Sequence, residues 1–249
     1  MIVYPNAKIN LGLNVLRKRE DGYHDISSVF YPVKECVDIL EIIKSERFEF
    51  TRSGIEISDG ENLCEKAWKL LDTDFGIGNV KIHLHKQIAI GAGLGGGSAD
   101  ASFTLKSLNE LFDLNLNNKE LEKYALRLGA DCPFFIDNTP KLAEGIGEKM
   151  TSIDLDLSEY NIRLINPGIH VSTKEAYSDL VPEIPALDVE KTIELPIIEW
   201  KGKLKNDFEE SIFAKHLKLE GIKDELYKQG SIYSSMSGSG SFLFGIFEK

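Results

Sequence analysis

Apolar residues recur at every second position over residues 5–15, so that Ala7, Ile9, Leu11, Leu13 and Val15 share one face of a strand and Lys8, Asn10, Gly12 and Asn14 the other. Lys8 and Asn10 therefore point the same way, and the residues alone fit a solvated outer face equally well. The charged stretch from Arg17 ends in Asp21-Gly22, which predicts a tight hairpin into a second patterned segment containing Ile26, Ser28 and Phe30. Residues 37–43 and 48–57 read as strands, with Arg52-Ser53-Gly54 as a turn, and residues 62–71 as a helix capped by Asp59 or Asn62. Over residues 80–85, Val80, Ile82 and Leu84 alternate with Lys81, His83 and His85, which predicts a half-buried strand with both histidines exposed.

Helical spacing returns at Ala101, Leu105 and Leu108 and again at Leu121, Tyr124, Ala125 and Leu128, the second run ending at Gly129. An acidic stretch over residues 152–159, poor in large apolar side chains, reads as a linker between domains 1–155 and 156–249. Beyond it the pattern predicts a strand at 161–166 and a helix opening at Ser172 with a capping box to Glu175. A proline-rich surface loop at 181–196 and a helix over 218–229 follow, then two strands, 231–236 and 241–247, flanking Ser237-Gly238-Ser239-Gly240.

Between the 80–85 strand and the helix after it, five glycines fall within Gly91 to Gly97. Such clustering persists where the chain needs positive φ or where something must approach its amides. With Ser98 as a candidate cap, strand, glycine loop and helix N-terminus converge N–H groups and the positive end of a helix dipole on one spot, which suits a phosphate. No Gly-Lys-Ser/Thr follows, so this is not a P-loop, and no acidic residue closes a second strand as in a dinucleotide fingerprint.

The 249 residues are 42% hydrophobic and 28% charged, an ordinary globular composition with no run long enough for a membrane span. Cys36, Cys64 and Cys132 are odd in number and scattered, which argues for reduced thiols, and with no signal-like N-terminus the expected location is cytoplasmic. A net charge of −11 disfavours nucleic acid as a partner, so an anionic ligand must be held by local groups.

The string Gly-Ala-Gly-Leu-Gly-Gly-Gly-Ser-Ala-Asp-Ala resembles the glycine-rich loop of the GHMP small-molecule kinases, with Ala89 where that family usually has proline. Pro-Asn-Ala-Lys-Ile-Asn at the start, Gly-Ala-Asp-Cys-Pro-Phe-Phe around Asp131, Asn-Asp-Phe-Glu from Asn206 and the late Ser-Gly-Ser-Gly turn are similar to the family's other motifs, in order. The resemblance implies an α+β fold in two domains, an N-terminal mixed sheet with helices and a C-terminal ferredoxin-like domain. It implies ATP and Mg²⁺ as cofactors, with Lys8 and Asp131 catalytic. Lys86, Ala89, Ile90, Gly91, Ala92, Gly93, Leu94, Gly95, Gly96, Gly97, Ser98 and Ala99 would bind the nucleotide, Ser98 also being the candidate metal contact. The Arg-Glu-Asp-Gly-Tyr-His segment resembles one specific to the branch whose acceptor is a small molecule carrying cytidine diphosphate. It implies acceptor contacts at Asn10, Tyr23, His24, Phe30, Tyr177, Ser237 and Gly238. A kinase of another alcohol, such as homoserine or mevalonate, and a nucleotide-binding module without catalysis are the alternatives. A monomer or weak homodimer is expected.

Overall fold

The computed structural model describes residues 1–57 and 60–249, so the candidate cap Asp59 lies outside the described residues. Two compact units emerge, each drawn from three chain segments: 1–8, 32–90 and 95–139 in the first, and 9–31, 91–94 and 140–249 in the second. This partition differs from the expected 1–155 and 156–249 division.

The first unit is built on a four-stranded sheet in the order β1 (Ile2–Val3), β4 (Ile39–Lys44), β6 (Val80–Lys86), β5 (Glu49–Gly54). Antiparallel pairing sets Leu40 opposite Leu84 and Ile42 opposite Ile82, while β5 runs parallel to β6. Arg52 to Gly54, expected as a turn, are thus the end of a strand, because Gly54 can lie against Lys86, whose carbonyl oxygen would be 2.2 Å from a Cβ at that position. Helices α1 (Leu63–Phe75), α2 (Gly96–Leu111), α3 (Asn118–Leu128) and α4 (Phe134–Asp137) complete this unit. Their apolar stripes, including Leu71, Leu105, Leu108 and Leu121, pack with Leu40, Ile42, Val80, Ile82 and Leu84 into one core. Asn62 caps α1 through a complete capping box with Glu65, and Asn117 caps α3 in the same way with Glu120.

The second unit contains residues 9–18 of β2 (Asn6–Lys18) and 24–31 of β3 (His24–Val37), from a sheet ordered β2-β3-β7-β8 with β7 Lys141–Gly145 and β8 Lys149–Ser152. A three-stranded antiparallel sheet places β11 (Leu243–Glu248) between β10 (Tyr233–Met236) and β9 (Tyr160–Ile165). Helices α5 (Thr173–Ser178), α7 (Phe208–Lys215) and α8 (Leu217–Lys228) pack on Leu13, Val15, Met236, Leu243 and Phe247. A further short helix, α6 (Val189–Ile193), interrupts the expected 181–196 loop: Asp188 caps it and Val189 and Ile193 are buried. The expected capping box on α5 is half formed, since Ser172 accepts from the Glu175 N–H but the Glu175 carboxylate pairs with His216 at 3.0 Å.

Candidate active site

In the first unit Lys8 Nζ lies 3.4 Å from Asp131 Oδ2, with the lysine side chain 5% exposed and the aspartate 34%. Lys8 therefore does not stand on a wet outer face; strand β2 is buried on both faces from Asn6 to Val15, and Asn10 and Asn14 are buried with it. Asp131 sits in the turn between α3 and α4, where the Ser102 hydroxyl of α2 shares its one proton between the carbonyls of Ser98, at 2.9 Å, and Cys132, at 2.7 Å. That bond ties the first turn of α2 to the aspartate's turn. Burial pushes the Cys132 thiol up to about 11, so Cys132 is a neutral packing group.

Helix α2 begins one turn earlier than a Ser98 cap would place it. Gly95 is its cap residue, in a left-handed conformation at φ 69°, and no side chain among the described residues caps it; Ser98 lies in the first turn. An L side chain at Gly95 would meet Lys8 and Phe135 at 3.0 Å. The glycines keep both the turn and the space in front of these uncapped amides open. Lys86, expected at the nucleotide, is turned inward instead. The alternation Val80, Ile82, Leu84 continues through it, and its ammonium is buried between Asp38 and Asp100, at 2.5 and 2.7 Å.

In the second unit the loop segment 91–94 is joined to the late glycine turn. Ser237 donates to the Gly93 carbonyl at 2.8 Å and accepts from the Asn10 N–H at 3.2 Å, while the Asn10 amide donates to Ser28 at 2.8 Å. The turn's own shape is set by Asn206, whose Nδ2 donates to the carbonyls of Met236 and Gly238, both at 2.8 Å, and by Glu209, which accepts from Ser235 Oγ and the Met236 N–H, both at 2.8 Å. Ser237, expected as an acceptor contact, is fully buried with its hydroxyl bonded to the loop. Gly238 stands beside it, where a Cβ would lie 3.2 Å from Gly93 Cα.

His24 and Tyr177 stack with centroids 4.6 Å apart and planes 23° from parallel, and Phe208 supports Tyr177 edge-on at 4.8 Å. Burial, and secondarily Lys18, hold the His24 imidazole below its ordinary pKa, which favours the neutral ring. Tyr23, next in the chain, is 61% exposed. The hairpin carrying them is looser than the two-residue turn expected from Asp21-Gly22, closing through Arg19 N–H to the Tyr23 carbonyl at 2.8 Å. Phe30, 2% exposed, is packed in the core; it sits on β3 opposite Lys141 of β7, a strand not anticipated in the sequence. Asp38 and Ser28 form bonds that no sequence motif pointed to, whereas Asp100 lies in the glycine-loop string and Asn206 and Glu209 in the Asn-Asp-Phe-Glu motif. Among the described residues no group of three or more His, Cys, Asp or Glu side chains could hold a metal, and no helix is long and apolar enough to cross a membrane.

An uncapped helix start behind a glycine loop, with a lysine–aspartate pair beside it in the same unit, is an arrangement suited to phosphoryl transfer, the chemistry of the phosphotransferases. Residues 62–138 match the GHMP kinases N terminal domain and residues 196–249 the GHMP kinases C terminal domain. The chain belongs to the GHMP kinase family. It is 50% identical over 252 residues to the 4-diphosphocytidyl-2-C-methyl-D-erythritol kinase of Azobacteroides pseudotrichonymphae, covering 100% of this chain and 94% of that one. A crystal structure of 4-(cytidine 5'-diphospho)-2C-methyl-D-erythritol kinase superposes with a TM-score of 0.85 at 32% identity, over 99% of this chain and 90% of the other. Homoserine kinase from Cytophaga hutchinsonii, at a TM-score of 0.65 and 15% identity over 98% and 85%, shares the fold alone. The α+β fold expected from the motifs is thus the one found.

Proposed function

We propose that the chain is an ATP-dependent kinase that phosphorylates the 2-hydroxyl of 4-diphosphocytidyl-2-C-methyl-D-erythritol, a step of non-mevalonate isoprenoid precursor synthesis. The observation that carries this reading is full-length, 50% identity to enzymes of that name, together with the stacked pair of His24 and Tyr177 on the segment that resembles the cytidine-binding one.

Phosphoryl transfer asks a protein for positioning and charge stabilisation rather than covalent chemistry. The uncapped amides at the start of α2 hold ATP phosphates, with the glycines of Gly91 to Gly97 keeping side chains out of their way. Asp131 accepts the proton of the acceptor hydroxyl as it attacks, and Lys8, 3.4 Å away, orients that carboxylate and offsets negative charge accumulating at the transferring group. Ser98, in the first turn of α2, offers a hydroxyl oxygen, which suits a Mg²⁺ that takes most of its ligands from phosphates and water. Bound there, Mg²⁺ would supply charge neutralisation on the phosphates. His24 and Tyr177 take the cytosine by stacking and ring hydrogen bonds, with Tyr23 and Asn10 as further contacts. Phosphorus NMR of the product tests the reading. The expected spectrum keeps the diphosphate and adds one monophosphate ester on the C2 oxygen; a new ester on another hydroxyl would refute it.

A further inference from the structure

Three ionisable groups buried in the first unit are not used by the transfer chemistry. Lys86 Nζ lies 2.5 Å from Asp38 Oδ2 and 2.7 Å from Asp100 Oδ2, and none of the three side chains is more than 3% exposed. The second oxygen of Asp38 accepts from the backbone N–H groups of Gln87, at 2.6 Å, and Ile88, at 2.9 Å. Asp38 stands at the break between β3 and β4, Lys86 ends β6, and Asp100 lies in the second turn of α2. The cluster therefore joins the strand that leads into the glycine loop to the helix that leads out of it. Gly96 permits the close approach, since a Cβ there would sit 3.0 Å from Lys86 Nζ and 2.8 Å from Ile88 Cγ2.

Stability is a poor explanation for such a cluster. Each buried ion carries a desolvation cost of several kcal/mol, and apolar side chains of similar volume are often as stable or more so. Here burial outweighs the lysine and pushes Asp100 up to about 7, and Asp100 Oδ1 has no hydrogen-bond partner among the described residues. What charged groups supply and apolar ones do not is direction: four short bonds that fix where residues 87–88 and α2 lie with respect to each other.

We propose that Asp38, Lys86 and Asp100 are positioning residues that hold the two roots of the glycine loop at a set spacing and so aim the α2 amides at the nucleotide phosphates. Lys86 acts through those roots and does not touch the nucleotide. The proposal rests on the reading of the loop as a phosphate cradle, and its test separates the two.

Asp38→Asn keeps an oxygen for the Gln87 and Ile88 amides and leaves Lys86 and Asp100 as a balanced pair, but turns an N–H donor toward Nζ. If Lys86 were itself a phosphate ligand, loosening it from Asp38 would leave ATP affinity unchanged or improved. The positioning role predicts the opposite: the ATP dissociation constant measured by calorimetry rises about tenfold or more, the equivalent of losing one well-aimed amide–phosphate hydrogen bond. Measured well below its own melting temperature, the folded variant should keep acceptor KM near wild type. Lys86→Met should move ATP affinity the same way; should it fail to fold, Asp38→Asn/Lys86→Met/Asp100→Leu, which leaves no buried charge, carries the same expectation. Gly95→Val, measured alongside, reports on the loop itself. Lost ATP affinity in Gly95→Val with wild-type affinity in the folded cluster variants overturns the positioning role and leaves the loop reading standing. Unchanged affinity in Gly95→Val overturns the loop reading and the positioning role with it.

Discussion

An ammonium 3.4 Å from a carboxylate, with the lysine buried and the carboxylate a third exposed, leaves the aspartate able to meet an incoming hydroxyl while its partner stays shielded from water. Asp131→Asn keeps the shape and removes the proton acceptor. We expect turnover to fall by at least ~10²-fold, the lower range for a positioned base, with ATP affinity retained; wild-type turnover would make the aspartate a structural residue. Lys8 and Asp131 were legible because each sits in a motif whose order along the chain is distinctive. Asp38 was not, since a single aspartate at a strand break carries no periodic or motif signal, and only the fold brings it to Lys86. Lys86 itself was half legible: the alternation of Val80, Ile82 and Leu84 already assigns it to the buried face. Phe30 and Ser237 are both buried, and motif membership does not distinguish a side chain that touches a ligand from one that holds the backbone that does.

At the scale of elements, the glycine loop is two kinds of structure in succession. Gly93, at φ 76°, packs against the late turn so closely that a Cβ would stand 2.0 Å from the Ser237 carbonyl oxygen, whereas Gly97 is a helical residue whose nearest such neighbour is Leu63 at 3.8 Å. Gly93→Ala should therefore lower unfolding free energy by more than about 1 kcal/mol, while Gly97→Ala should leave it unchanged or raise it by up to about 1 kcal/mol. Urea denaturation of both variants checks this, and equal midpoints would contradict the distinction. Strand, loop and helix were readable from hydrophobic period and glycine clustering. The cap position was not, because a serine after glycines is the usual cap and the left-handed Gly95 displaces it. Helix α6 and strands β7 and β8 escaped notice because they are only 4 to 5 residues long and lie among prolines, glycines and charged residues.

For the molecule as a whole, Asp100 links the loop's support to pH. Its folded-state pKa is raised by burial from an ordinary 3.8 to about 7, so the folded protein binds this proton more tightly than the unfolded chain does. The stability it contributes is complete below the ordinary value and is lost as pH rises through about 7. Asp100→Asn cannot titrate there. Its stability relative to wild type should therefore improve from about pH 5 to about pH 8, and a relative stability that stays constant or worsens over that range would refute the assignment. The net charge of −11 meanwhile means that two polyanionic ligands must be drawn to local sites against the overall field.

Release of ADP, followed in a coupled assay with the wild-type protein and a panel of acceptors, tests the functional account most directly. 4-Diphosphocytidyl-2-C-methyl-D-erythritol should support turnover, and methylerythritol phosphate should be poor, by about ten- to a hundred-fold in kcat/KM, because the stacking energy of the base, roughly 1 to 3 kcal/mol, is missing. Homoserine and mevalonate should be inert. Equal use of the acceptors with and without cytidine, or a preference for homoserine or mevalonate, would contradict the account.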